Sequence, residues 1–200
     1  MESKHEFLIE PDDAPSKRAI VSAAFKLFVR EGFDATNIRA IGKEAGYSNP
    51  ALFKFFDSKE ELGTYLFERC YLHYAAIFES AIRSGNSFEA NLVATVNRFC
   101  EVLVDSPGTF LFVQDHLRHF WPHVTPQTRK ISILGQIRRL IEQGIAEGMI
   151  SKDIDPKILV AAFVGLLAQF ARMSYFGEFK GSATEWKDQL AATCRKLLMG

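Results

Sequence analysis

Cysteine is scarce in this sequence, and the three present, Cys70, Cys100 and Cys194, stand far apart. A disulfide framework or a zinc knuckle needs close, paired spacing, so neither is expected, and free thiols suit a reducing compartment. Net charge is missing as well: 24 basic residues balance 24 acidic ones. No field of the whole molecule therefore draws in nucleic acid or membrane, and any anion-binding surface must be local. No apolar run is read as a bilayer span, which needs about 20 residues. The opening MESKHEFLIEPDDAP lacks the basic leader and long apolar stretch of a signal peptide. The expected setting is the cytoplasm, without membrane attachment. Strand-like alternation, Gly-rich phosphate loops, repeats and low-complexity segments are all lacking. No nucleophile, base and orienting group stand at a placeable spacing, so neither a catalytic set nor a cofactor is expected. His116, His119 and His123 lie close in sequence, but Pro122 breaks any helix before His123 and no second cluster of Asp, Glu or Cys marks a metal site.

What the sequence does have is helical periodicity, which predicts an all-α fold of about nine helices. Residues 1–13 read as an acidic tail, expected to be mobile, although Phe7, Leu8 and Ile9 offer an apolar patch that could dock on the bundle. Ser16 is a candidate cap for a first helix carrying Ala19, Ile20, Ala23, Ala24, Leu27 and Phe28 on one stripe, stopped by Gly32. Thr36 or Asn37 caps a second helix that ends at Gly46. A third is predicted over 48–56, with Pro50 in its first turn. The capping box Ser58-x-x-Glu61 opens a fourth of about 25 residues. Further helices are expected over 87–105, from Pro107 to Pro122, from Pro126 to Gly148, from Pro156 to Phe176, and after a second box formed by Ser182 and Glu185.

A helix of roughly eight residues over 48–56 is too short to be stable alone. It makes sense as the second element of a helix-turn-helix, the one that enters the major groove of DNA. Leu52 and Phe56, backed by Ile41 and Leu27, would pack such a unit and leave Asn49, Phe53 and Lys54 outward. Between residues 14 and 59 the basic side chains Lys17, Arg18, Lys26, Arg30, Arg39, Lys43, Lys54 and Lys59 outnumber the acids Glu31, Asp34, Glu44 and Asp57. A phosphate-facing surface in a neutral molecule is thus expected here.

The stretch from Arg18 to Leu62 resembles the DNA-binding domain of TetR-family (TetR/AcrR) transcriptional regulators. The motifs that carry the resemblance are Ala23-Ala24-Phe25-Lys26-Leu27-Phe28, Gly32-Phe33, Ile41-Gly42, Ala45-Gly46-Tyr47-Ser48, Leu52-Phe53-Lys54-Phe55-Phe56 and Lys59-Glu60-Glu61-Leu62. Five positions depart from the pattern. Asn37, with Thr36 just before it, stands at the helix-2 cap where Thr is usual. Gly42 replaces the usual Ala, Tyr47 a common Val, Phe53 a Tyr whose hydroxyl meets a phosphate, and Phe55 a polar residue or His. The resemblance implies a DNA-binding domain over 14–60 and a ligand-binding and dimerisation domain over 61–200. It implies DNA contacts from Thr36, Asn37, Arg39, Ser48, Asn49, Ala51, Phe53, Lys54, Phe55 and Lys59. Asn49 is suited to pair with adenine, Phe53 to touch a thymine methyl, and Lys54 and Lys59 to hold the backbone.

It also implies a homodimer on a palindromic operator and a small hydrophobic effector, the pattern of a repressor released by its ligand. For the effector pocket the aromatic-rich stretch after Ser106 offers Phe110, Val113, Gln114, Leu117, Phe120 and Trp121. Phe99, Leu103, Ile137, Phe163, Phe170 and Met173 come from other helices. For the dimer interface the apolar helix after Pro156 offers Ala161, Gly165 and Ala168, and the last helix Trp186, Leu190, Cys194 and Leu197. An effector-independent DNA-binding protein, or a helical carrier or enzyme that keeps a basic bundle, remain as alternatives.

Overall fold

The structure, a computed structural model, describes residues 6–200. Met1–His5 of the expected tail lie outside the described residues. The elements are helical throughout the described chain: α1 (Pro15–Glu31), α2 (Ile38–Ala45), α3 (Asn49–Leu52), α4 (Lys59–Ile82), α5 (Phe88–Asp105), α6 (Pro107–Phe120), α7 (Pro126–Lys130), α8 (Ile133–Ala146), α9 (Pro156–Tyr175) and α10 (Lys187–Met199), with short 3-10 turns at Glu6–Leu8, Trp121–His123 and Ala183–Trp186.

Local chemistry sets most of these boundaries. Asn37 caps α2, its Oδ1 accepting from the Ala40 amide at 3.0 Å. Gly46 ends that helix in the left-handed conformation (φ 73°). Ser87 and Asp155 cap α5 and α9, and Ser182 with Glu185 forms both arms of a capping box before α10. Three expectations change. Ser16 is not the cap of α1; Ala14 precedes Pro15, which starts the helix without needing an amide partner. The helix predicted over 126–148 breaks at Ile131, because the Ser132 hydroxyl accepts from the Gly135 amide at 3.0 Å and starts α8 afresh. The third helix is shorter than predicted: four residues of α-helix, followed by turn hydrogen bonds from Phe55 and Phe56 to the Leu52 carbonyl.

The chain forms two compact units, Met1–His73 with Gly108–Arg129, and Tyr74–Pro107 with Lys130–Gly200. This division differs from the expected boundary at residue 60, since the first half of α4 and nearly all of α6 fold with the N-terminal helices.

In the first unit, α2 packs on α1 and α3 packs on both. Leu27, Ile41, Leu52 and Phe56 are buried as predicted. An aromatic cluster continues the core. Phe33 meets Phe28 and Phe120 at 5.0 Å between ring centres, and Phe120 also meets Phe67 at 5.8 Å. Gly63 permits this approach, because a Cβ there would lie 2.6 Å from Phe120 and 2.7 Å from Phe33. Residues 6–13, expected to be mobile, are docked instead. Leu8 is buried, Tyr65 Oη donates to its carbonyl at 3.0 Å, and Arg69 Nε donates to the Phe7 carbonyl at 2.7 Å. Arg69 pairs with Glu10, Phe7 stacks on His73, and Lys17 bonds Asp13 at 2.6 Å.

In the second unit, α5 packs against α8 and α10, and α9 against α8 and α10. Its core includes Phe88, Val96, Phe99, Ile137, Ile141, Phe163, Leu167 and Phe170. A polar edge joins α5 to α8: Asn91 Nδ2 donates to Gln143 Oε1 at 3.0 Å, and the Phe88 amide donates to the Glu147 carboxylate. Helix α9 corrects the sequence reading on one count, since it is long and apolar enough to cross a membrane. Its buried residues nonetheless serve this core. All three cysteines are buried; burial pushes the Cys100 and Cys194 thiols up to about 11 and about 12.

Candidate nucleic-acid interface

The turn between α2 and α3 is tight. The Tyr47 amide donates to the Gly42 carbonyl at 2.9 Å. A Cβ on Gly42 would lie 2.8 Å from the Tyr47 carbonyl oxygen and 3.1 Å from Asn49 Oδ1. Glycine, where the family pattern has alanine, thus lets α3 sit close on α2. Helix α3 is anchored from within by Leu52, fully buried, and by Phe56 just beyond it. Ser48, Pro50, Phe53 and Lys54 are exposed, Phe53 at 48%. Asn49, Ala51 and Phe55 are half-buried.

Most of the basic side chains counted in the sequence have partners. Lys17 binds Asp13, Lys26 binds Glu44, and Arg30 binds Glu31. The Lys26 hydrogen bond holds the Glu44 carboxyl below its usual value. Arg18 donates to the carbonyls of Asp13, Glu10 and Pro11. Lys59 Nζ donates to the Phe33 and Thr36 carbonyls at 2.9 and 3.0 Å. Arg39, Lys43 and Lys54 are exposed and make no such bond among the described residues. They flank the helix-turn-helix, with Arg39 and Lys43 one turn apart on α2. Of the acids nearest in sequence, Glu44 is already paired, which leaves the single carboxylate of Asp57 against three cations. A local surplus of cations is therefore concentrated beside α3.

The expected DNA-contact residues thus divide. Arg39, Ser48, Phe53 and Lys54 are exposed, and Asn49, Ala51 and Phe55 are half-buried. Asn37 is exposed, but its Oδ1 is engaged as a cap. Thr36 is 1% exposed and its hydroxyl donates to the Gly32 carbonyl at 2.8 Å, which withdraws it from any external phosphate. Lys43 entered the charge balance without being singled out; only the pairing of its neighbours marks it.

The expected effector residues fall in both units. Phe99, Leu103, Ile137, Phe163 and Phe170 are buried in the second unit, with Met173 half-buried. Phe110, Val113 and Phe120 are buried in the first, where Trp121 packs on Tyr71 at 5.0 Å; Gln114 is half-buried and Leu117 is 40% exposed. Within the second unit a half-open cavity of about 280 Å³ is lined by Leu103, Val104, Ala171, Ser174, Tyr175 and the segment 181–183. Ser174 Oγ is covered there without a hydrogen-bond partner. Of the expected interface residues, Ala161, Gly165 and Leu197 are exposed, and Ala168 and Trp186 half-buried. Leu190 and Cys194 turn inward, at 6% and 0% exposure, because α10 packs against both α5 and α9.

The fatty acid metabolism regulator protein of Bacillus subtilis (strain 168) is 20% identical to this chain over 174 residues, covering 86% of this chain and 84% of its own length. Two solved structures share the fold across nearly the whole chain. FadR from Bacillus subtilis in complex with stearoyl-CoA matches with a TM-score of 0.72 at 14% identity, covering 91% of this chain and 99% of that one. The ketosteroid transcriptional regulator KstR2 of Mycobacterium tuberculosis matches with a TM-score of 0.78 at 18% identity, covering 96% and 97%. The sequence pattern of bacterial regulatory proteins of the tetR family matches residues 20–64. That match falls on the stretch where the free cations gather, so residues 20–64 carry the DNA-binding pattern of the tetR family of regulators.

Proposed function

We propose that the protein is a repressor that holds a palindromic operator as a cytoplasmic homodimer and leaves it on binding a hydrophobic effector. The observation that carries the DNA side is the set of three cations, Arg39, Lys43 and Lys54, that have no partner among the described residues and stand beside a half-buried Asn49 and an exposed Phe53. Arg39, Lys43 and Lys54 bind backbone phosphates and fix the register. Asn49 pairs with an adenine edge, and Phe53 meets a thymine methyl where a tyrosine would have reached a phosphate. Ser48 adds a short-range donor, and Ala51 and Phe55 keep the approach close.

Two copies join through an exposed apolar stripe on α9, Ile158, Ala161 and Gly165, continued by Leu197 on α10. Ile158 is 62% exposed, which a second copy would cover. Two reading heads then address half-sites a helical turn of DNA apart or a multiple of it.

The effector enters the second unit and carries a long apolar body; an acyl thioester is the first candidate. Support comes from the phenylalanine-rich interior of that unit and from the relative whose structure holds stearoyl-CoA. The effector acts by binding one conformational population better than the other.

Selecting duplexes from a random-sequence library with the full-length protein tests the reading. An inverted repeat should emerge, and titrating stearoyl-CoA should release it while a ketosteroid does not. Release by the ketosteroid alone would reassign the effector class. Recovery of no preferred duplex would remove the DNA-reading roles.

A further inference from the structure

Lys59 opens α4, where the family resemblance implies a contact to the DNA backbone. Its surroundings point elsewhere. A lysine amine offers three N–H donors and no acceptor. Two of them are used on the carbonyls of Phe33 and Thr36, at 2.9 and 3.0 Å. The Nζ also sits over the Phe33 ring, 4.3 Å from its centre. The side chain is half-buried, and at most one of its three N–H donors is left for an external phosphate.

The groups it holds are those that place α2. Phe33 is 3% exposed and wedged between Phe28 and Phe120. Thr36 is buried and tied back to Gly32. The next residue, Asn37, is the cap of α2. Lys59 thus reaches across 23 to 26 residues of sequence to fasten the loop that feeds this cap. Helix α2 carries Arg39 and Lys43, and through the close turn at Gly42 it sets the seat of α3.

We propose that Lys59 is a positioning residue of the DNA-reading head rather than a phosphate ligand: it clamps the loop before α2 to the start of α4. The inference rests on the DNA-binding reading above. Its test separates the two.

The full-length protein and its variants are titrated with two probes: the duplex selected by the unaltered protein from a random-sequence library, and an unselected duplex of equal length. Lys59→Met keeps the apolar stem and removes the donors. It is expected to weaken binding to the selected duplex about tenfold, with the unselected duplex little affected and the dependence of log K on log salt unchanged. Amide hydrogen exchange near residues 37–41 should quicken in the free protein. Lys59→Arg, which restores donors to both carbonyls, is expected to recover most of the affinity. A salt slope that shrinks by about 0.9 per subunit, with both duplexes weakened alike, would make Lys59 a phosphate ligand and overturn the proposal. A lowered melting temperature with unaltered DNA affinity would reduce the residue to fold stability and also overturn it. Failure of the unaltered protein to select any duplex would take down the DNA-binding reading itself, and this inference with it.

Discussion

The pairing of the basic side chains makes a quantitative prediction about salt. Each phosphate neutralised by a lysine or arginine contributes about −0.9 to the slope of log K against log salt on duplex DNA. Arg39, Lys43 and Lys54 are the cations beside α3 that lack a partner, so two subunits would neutralise six phosphates and give a slope of about −5. Binding should then fall about a thousandfold between roughly 50 and 200 mM salt. Lys54→Ala, present in both subunits of a dimer, should flatten the slope by about 1.8. Lys26→Ala should leave the slope where it was, because Lys26 is already held by Glu44. Fluorescence anisotropy with a labelled duplex over a series of salt concentrations reads both slopes directly. If Lys26→Ala flattens the slope as much as Lys54→Ala, partner-free status is not what selects the phosphate contacts and the argument fails.

Other consequences are open to measurement. Asn49→Ala should weaken the selected duplex by about 1–3 kcal/mol and relax the preference at one base pair; equal loss on unselected DNA would exclude a reading role. Leu8→Ala removes a side chain that is 1% exposed and should cost about 2–3 kcal/mol in urea unfolding, the low end for leucine because the site lies near the surface; an unchanged midpoint would mean the segment is not docked. Gly42→Ala sets about 1 kcal/mol of helix propensity against a contact of 2.8 Å to the Tyr47 carbonyl oxygen; stability should change little while affinity for the selected duplex drops, and a variant that binds unchanged would show that the turn yields freely. Burial among Phe33, Phe112 and Phe120 lowers the pKa of His116, while Asp115 and Asp34 oppose that shift and His119 adds to it. The unfolded chain therefore binds the proton more readily, and stability should fall as pH drops through and below about 6.5. In His116→Phe the fall should be shallower, as followed by thermal melts across pH.

The features legible in the sequence were those decided within a few residues. Asn37, Ser87, Asp155 and the Ser182–Glu185 box announce helix starts because each cap bonds an amide two or three positions on. The exposed edge of α3 was legible for the same reason, its buried side fixed by Leu52 and Phe56. What stayed hidden depends on distant partners. Phe7, Leu8 and Ile9 were legible as an apolar patch able to dock, but not their partners Tyr65 and Arg69, which lie 57 to 62 positions away. The engagement of Lys59 rests on two carbonyls in another loop. The apolar period running through Ile131 and Leu134 masked the break at Ser132, and both residues end up exposed, at 38% and 53%. Leu190 and Cys194 fit an outward stripe by spacing, yet they face α5 and α9 of their own chain.

The brevity of α3 has an evolutionary corollary. Its order is borrowed from two inward anchors, so the side chains on its exposed side carry almost no responsibility for keeping the protein folded. Replacements at Phe53 or Lys54, being exposed, should shift stability by no more than about 0.5 kcal/mol. Descendants of such a chain can therefore explore new operators by changing a handful of surface residues, with the scaffold beneath them left intact.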